Sequence, residues 1–173
     1  MLRAKDSCML LIVFTALGLL STPRHAMAQD AEEKPIVAKA ANAKFAAIPN
    51  APECFTVAVD RGDPSKGASV ILAKFAAGCV APFHWHTPSE TAMIVSGSLE
   101  VQMKDDKPFV ARHGDFAYLP AHHVHRATCQ GSIPCLVFLT SDAAFDVHWV
   151  DASGQEISLE AALKNAKPGP KTP

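Results

Sequence analysis

The chain has 173 residues, 49% of them hydrophobic, and a formal net charge of −1 from 16 basic and 17 acidic residues. That length and apolar content suit one domain with a real core. No basic stripe of the kind a nucleic-acid surface needs is present, and no internal repeat suggests a second copy of the same unit.

In chain order, Arg3 and Lys5 precede Met9 to Leu20, a weakly polar to apolar run of twelve residues, and Ala26-Met27-Ala28 fits a small-residue cleavage site before Gln29. A bilayer span needs ~20 residues, so the run is too short to cross one. Cys8 precedes the run and cannot carry the lipid of a lipoprotein. Residues 1–28 are therefore read as a cleaved signal. The mature chain is expected in the periplasm or secreted, with no membrane attachment. It keeps 13 basic and 16 acidic residues, a formal charge of about −3.

Residues 29–44, rich in Ala, Lys and Glu with Pro35 interrupting, read as a flexible leader. A β-rich domain is expected over 45–167. Strands are predicted at 54–60, 69–75, 91–96, 98–104, 108–112, 116–119, 124–129, 135–140 and 145–150, with Gly and Pro at most of the breaks. Leu99, Val101 and Met103 alternate with Glu100, Gln102 and Lys104, the period-two pattern of a half-buried strand. Many short strands at close spacing argue an all-β antiparallel sandwich or barrel. One helix is predicted at 155–166, with Ile157, Leu159, Ala162 and Leu163 available to cover a barrel end, and 168–173 reads as a disordered tail.

Four cysteines remain after processing: Cys54, Cys79, Cys129 and Cys135. An even count in an exported chain points to disulfides. Cys129 and Cys135 flank a turn-like segment and can face one another across a hairpin, which leaves Cys54 with Cys79. Buried free thiols are the alternative reading. No C-x₂₋₄-C pair suggests a zinc–thiolate site.

The chemistry-bearing segment begins at Gly78. His84 and His86 are separated by one residue, so on an extended strand both imidazoles project to the same side. Glu90, four residues on, can swing back beside them, and His125 offers a further imidazole from another strand. Three nitrogens and one carboxylate oxygen suit a divalent transition metal.

Gly78, His84, His86, Glu90 and Gly97 occupy every fixed position of the pattern G-x₅-H-x-H-x₃-E-x₆-G. Gly114, Pro120 and His125 match G-x₅-P-x-G-x₂-H-x₃-N, with His122 at its inner glycine and Cys129 at its asparagine. In these two motifs the chain resembles the cupin family. The Gly62–Gly67 turn, the Pro82–His86 segment and the Phe116–His125 segment are similar to those of small exported bacterial single-barrel members.

The resemblance implies a cupin-type antiparallel β-barrel or jelly roll with a short C-terminal helix, and one metal ion held by His84, His86, Glu90 and His125. It also implies a homodimer and metal-dependent chemistry on a small molecule. Copper, zinc, iron, manganese and nickel all fit the ligand set. The signal lacks twin arginines, so loading outside the cytoplasm lets copper and zinc compete on affinity.

Catalytic candidates are Glu90, as ligand or base, His123, which shares the strand parity of His125, and Tyr118, as a hydrogen-bond donor. His113 and His122 fall in turns and read as solvated. Trp85 faces away from the ligands and reads as packing, while Met93, Met103 and Phe116 line either a cavity or ordinary core. His148 and Trp149 carry no assigned chemistry. No G-x-S-x-G elbow, P-loop or dinucleotide loop is present, so no organic cofactor is implied. The favoured reading, which the resemblance implies, is a dioxygenase-like oxidoreductase acting on a small oxygenated substrate. The alternatives are a non-catalytic binding or sequestration barrel and a structural barrel stabilised by its metal.

Overall fold

The computed structural model describes residues 34–166. The signal at 1–28 and the tail at 168–173 lie outside them, as does the first part of the leader. Its described part, 34–44, is mostly exposed and carries one short 3₁₀ turn at Ala40–Asn42.

Among the described residues there are eleven strands: β1 Ala46–Ala47, β2 Phe55–Gly62, β3 Ser69–Phe75, β4 Val80–Trp85, β5 Glu90–Ser96, β6 Ser98–Met103, β7 Phe109–Arg112, β8 Phe116–Leu119, β9 His125–Gln130, β10 Cys135–Ser141 and β11 His148–Trp149. They form two sheets, in the orders β1-β2-β3-β10-β5-β8 and β11-β4-β9-β6-β7, and every pairing is antiparallel. This is the antiparallel sandwich expected from the strand pattern, in the jelly-roll form that the resemblance implies.

The core lies between the sheets. In β3, Ile71, Ala73 and Phe75 turn inward; in β6, Leu99 and Val101; in β8, Ala117 and Leu119. The chain passes from one sheet to the other at Gly97, where φ is +84° and a Cβ would stand 2.8 Å from the Cys135 Cα. Only glycine fits both the backbone and the space.

Cys54 is bonded to Cys79 and Cys129 to Cys135, with Cα separations of 5.5 and 5.7 Å. The first ties the start of β2 to the start of β4, and so links the two sheets. The free-thiol alternative is thereby set aside.

Four elements differ from expectation. β1 has no counterpart among the predicted strands, residues 80–85 form a full strand around the extended imidazole pair, and the strand expected over 145–150 is confined to His148–Trp149. The helix α1 runs over Leu159–Asn165 because Ser158 caps it, accepting the Ala161 N–H at 3.2 Å. Ala162 is buried and Ile157 and Leu159 pack against the core, but Leu163 faces solvent.

Candidate metal centre

Strand β4 carries the first two imidazoles, and its register decides where they point. Ala81 lies opposite Ala127 and His84 opposite His125, so β4 holds one extra residue relative to β9 between these pairs. That β-bulge falls at Pro82–Phe83. Proline cannot donate a ladder hydrogen bond, so a bulge is where an interior strand tolerates it. Below the bulge Ala81 faces the interior; above it His84 and His86 do. The extra residue shifts the inward parity from odd to even and aims both imidazoles into the barrel.

His84, His86 and His125 are all buried, and their potential ligand atoms lie within 4.8 Å of one another. Each Nδ1 is hydrogen-bonded to a backbone carbonyl: His84 to Pro82 at 2.7 Å, His86 to Asp146 at 2.5 Å and His125 to His123 at 2.9 Å. A neutral imidazole that donates from Nδ1 presents a lone pair at Nε2. Three carbonyls from three different segments thus set the tautomer and orientation of three rings, the arrangement that metal-binding histidines use.

Glu90 enters from the opposite sheet, on β5. Its buried Oε2 lies 3.5 Å from His86 Nε2 and 3.7 Å from His125 Nε2. Both the three-imidazole cluster and the fourth residue of the expected set therefore meet at one place between the sheets.

The electrostatics divide the histidines. Burial pushes the His84 imidazole well below its ordinary value, and positive charge on His125 or His86 would push it further. Burial likewise lowers His125, against the opposing pull of Glu90. Burial would lower His86 too, but its hydrogen bond to Glu90, the Glu90 charge and the Asp146 carbonyl outweigh that and raise it. Burial would raise the Glu90 carboxyl, yet His86 and His125 hold it below the ordinary carboxylate range. The cluster is thus two neutral imidazoles beside a proton-sharing His86–Glu90 pair, and a divalent cation competes with that proton.

The cluster opens onto a cavity of about 480 Å³ lined by residues of both sheets. The Phe145 ring lies 4.2 Å from that of His86, and Trp149, directly opposite His84 in the ladder, lies 4.9 Å from its ring.

Other predicted positions fall elsewhere. Tyr118 and Phe116 occupy the outward positions of β8, with Ala117 and Leu119 inward, so Tyr118 is 56% exposed and faces away from the cluster. Met93, opposite Phe116, is also on the outer face, and Met103 packs against the core. Strand β9 begins only at His125, so the parity argument for His123 fails: its side chain is exposed and it serves the site through its carbonyl. His113 and His122 are exposed in turns, as expected. Trp85 does face outward, stacked on His148 at 3.8 Å.

His122 occupies the inner-glycine position of the second motif with φ +59°, its N–H bonded to the His86 carbonyl at 2.8 Å and its ring 4.9 Å from that of Trp85. A left-handed conformation is what glycine would supply there. Asp146 and Trp149 went unassigned in the sequence. Asp146 contributes a carbonyl to His86, which any residue type provides, so its identity carries no signal; its carboxylate also accepts the Thr87 N–H at 2.7 Å.

Residues 71–141 match the family model described as "Cupin domain". Among solved structures, an RmlC-like cupin protein from Ralstonia eutropha JMP134 is 20% identical, with 73% of this chain and 80% of that one covered and a TM-score of 0.55. The polyketide cyclase RemF from Streptomyces resistomycificus is 13% identical, with 66% and 84% covered and a TM-score of 0.57. The DMSP lyase DddQ from Ruegeria pomeroyi DSS-3 is 19% identical, with 64% and 68% covered and a TM-score of 0.50. At these identities the likeness is one of fold. No curated protein sequence matches the chain.

Proposed function

We propose that this protein, a member of the cupin superfamily, is an exported metal-dependent enzyme of the oxidoreductase type. In this reading His84, His86, His125 and Glu90 hold one divalent transition metal beside a substrate cavity. The observation that carries it is the pinning of three Nδ1 atoms by carbonyls, which turns three imidazoles toward one another in a buried space. The donor chemistry fits the group: imidazole and carboxylate suit copper, zinc, iron, nickel and manganese alike. Bound there, the ion supplies Lewis acidity and, where it is redox-active, access to dioxygen chemistry.

The protein's own part is positioning and proton handling. Glu90, kept ionised by its histidine neighbours, is the carboxylate placed to take a proton from a bound molecule, because Tyr118 and the His123 side chain stand outside the cavity. Most of the wall around it is apolar. Export rests on the reading of residues 1–28, and two disulfides suit an oxidising compartment. Pairing of two copies, expected from the resemblance, belongs to the same proposal and is read by sedimentation.

One observation favours a second reading, a non-catalytic binding barrel. With Tyr118 and His123 removed from the catalytic candidates, Glu90 alone remains of the three.

The test is elemental analysis of the processed protein purified from its export compartment, with His86→Ala as control. About one redox-active ion per chain, lost in the variant, is the expected result. Stoichiometric zinc overturns the oxidoreductase assignment. No metal above the control overturns the ligand assignment.

A further inference from the structure

The lining of the cavity narrows the substrate class beyond the small oxygenated molecule expected from the sequence. Its volume of about 480 Å³ falls within the ~300–1,000 Å³ of sites that enclose drug-sized molecules. Val101, Leu119 and Leu139 give it aliphatic walls, and Phe55, Phe75, Phe145 and Trp149 supply aromatic ones. Beyond the imidazole cluster and Glu90, the polar side chains on its wall are Asn50, Ser65 and Asp146. All three belong to segments that reach solvent, 48–51, 64–65 and 145–147.

Among the described residues, no lysine or arginine lines the cavity, while two acidic residues, Glu90 and Asp146, do. An anionic ligand would therefore find no cationic side chain on the wall, and the charge of a divalent ion held at the cluster is already balanced by the two carboxylates of Glu90 and Asp146. A sugar-like molecule would bury many hydroxyls against hydrocarbon, and each buried polar group without a partner is costly.

We infer that the ligand is a neutral, mainly apolar molecule, with an aromatic or similarly compact hydrocarbon body and one oxygen or nitrogen donor that meets the His84–His86–His125 cluster. The inference deepens the proposed function and rests on the same site. The body occupies the region between Phe55, Phe75 and Leu139, and the donor end faces Glu90 and the imidazoles.

Calorimetric titration of the purified protein, both metal-loaded and after chelation, with 2-naphthol, 2-naphthoate and malate tests it. These probes separate charge from apolar body: the first two differ little in size, and the third is small and anionic. 2-Naphthol is expected to bind at least about tenfold more tightly than 2-naphthoate, with no binding of malate. Ala117→Leu, which adds bulk on the cavity wall, is expected to weaken 2-naphthol binding by about tenfold or more. Should that variant fail to fold, Leu139→Ala enlarges the same cavity and is expected to shift preference toward the bulkier neutral 9-phenanthrol.

Equal or tighter binding of 2-naphthoate, or binding of malate, overturns the inference. The two readings fail separately. A metal-loaded protein that takes only the anions keeps the metal centre and loses the apolar ligand. A protein that never holds metal yet binds 2-naphthol does the reverse.

Discussion

Glu90→Gln separates the charge of the fourth candidate ligand from its shape. The Glu90 Oε2 stands 3.5 Å from His86 Nε2. At an effective dielectric of ~20, opposite unit charges at that distance attract by about 4.7 kcal/mol before desolvation is deducted. Burial takes back part of it, and the balance raises His86 above its ordinary value. That raised value fixes the sign. The pair's contribution to metal-free stability is complete below the ordinary imidazole value and is lost as pH rises through the raised one. Metal needs the neutral Nε2, so its affinity runs the opposite way and falls as the pH drops through the same window.

Glutamine keeps the shape but not the charge, and burial then keeps His86 neutral. In that window, wild type is expected to release close to one proton more per zinc ion bound than Glu90→Gln does, while the variant also binds zinc more weakly. Titration calorimetry in two buffers of different ionisation enthalpy measures the proton count directly. Equal proton release from the two proteins would refute the assignment of His86 and Glu90 as a proton-sharing pair that metal displaces.

Loss of the Cys54–Cys79 disulfide, which closes a separation of 25 residues, is expected to cost about 3.5 kcal/mol in the chain-entropy model, against about 2 kcal/mol for the six-residue separation of Cys129–Cys135. Urea unfolding of the two serine double variants gives the order. Gly97→Ala should destabilise by more than the ~1–2 kcal/mol of a left-handed residue alone, because its Cβ also meets Cys135; a melting temperature equal to wild type contradicts this. His122→Gly relieves a left-handed side chain but loses the Trp85 contact, so its stability should stay within ~1 kcal/mol of wild type, with zinc affinity unchanged. A tenfold loss of zinc affinity there would mean that the side chain, and not only the backbone, supports the centre.

The parts of the fold legible in the sequence were those governed by alternation and by turn chemistry. Ser69–Phe75 and Phe116–Leu119 were predicted to the residue because apolar runs there are closed by glycine, proline or charged turns. The candidate ligands were legible because His84, His86 and Glu90 are close in sequence and chemically unlike their surroundings. Parity misled where it was carried beyond a strand. His123 shares the parity of His125, but the chain turns through His122 and the strand starts only at His125. The Tyr118 hydroxyl suits a hydrogen-bond donor, but alternation from the inward Leu119 sends it outward. The carbonyls that orient the rings left no trace in residue identity, and the cavity became visible only once two sheets from distant parts of the chain faced each other.

The bulge at Pro82–Phe83 makes the centre a matter of counting. The imidazoles face inward because the bulge takes up the one residue by which β4 exceeds its partner between Ala81 and His84. Drawn out into an unbroken ladder, the same residues would alternate from the inward Ala81, present both histidines to solvent and turn Trp85 toward the barrel interior. Deleting Pro82 would instead leave His84 opposite His125, because the shortened strand needs no bulge to reach that register. The same letters in a regular ladder spell no centre, so in this barrel the chemistry is stored in an irregularity of register as much as in the histidines themselves.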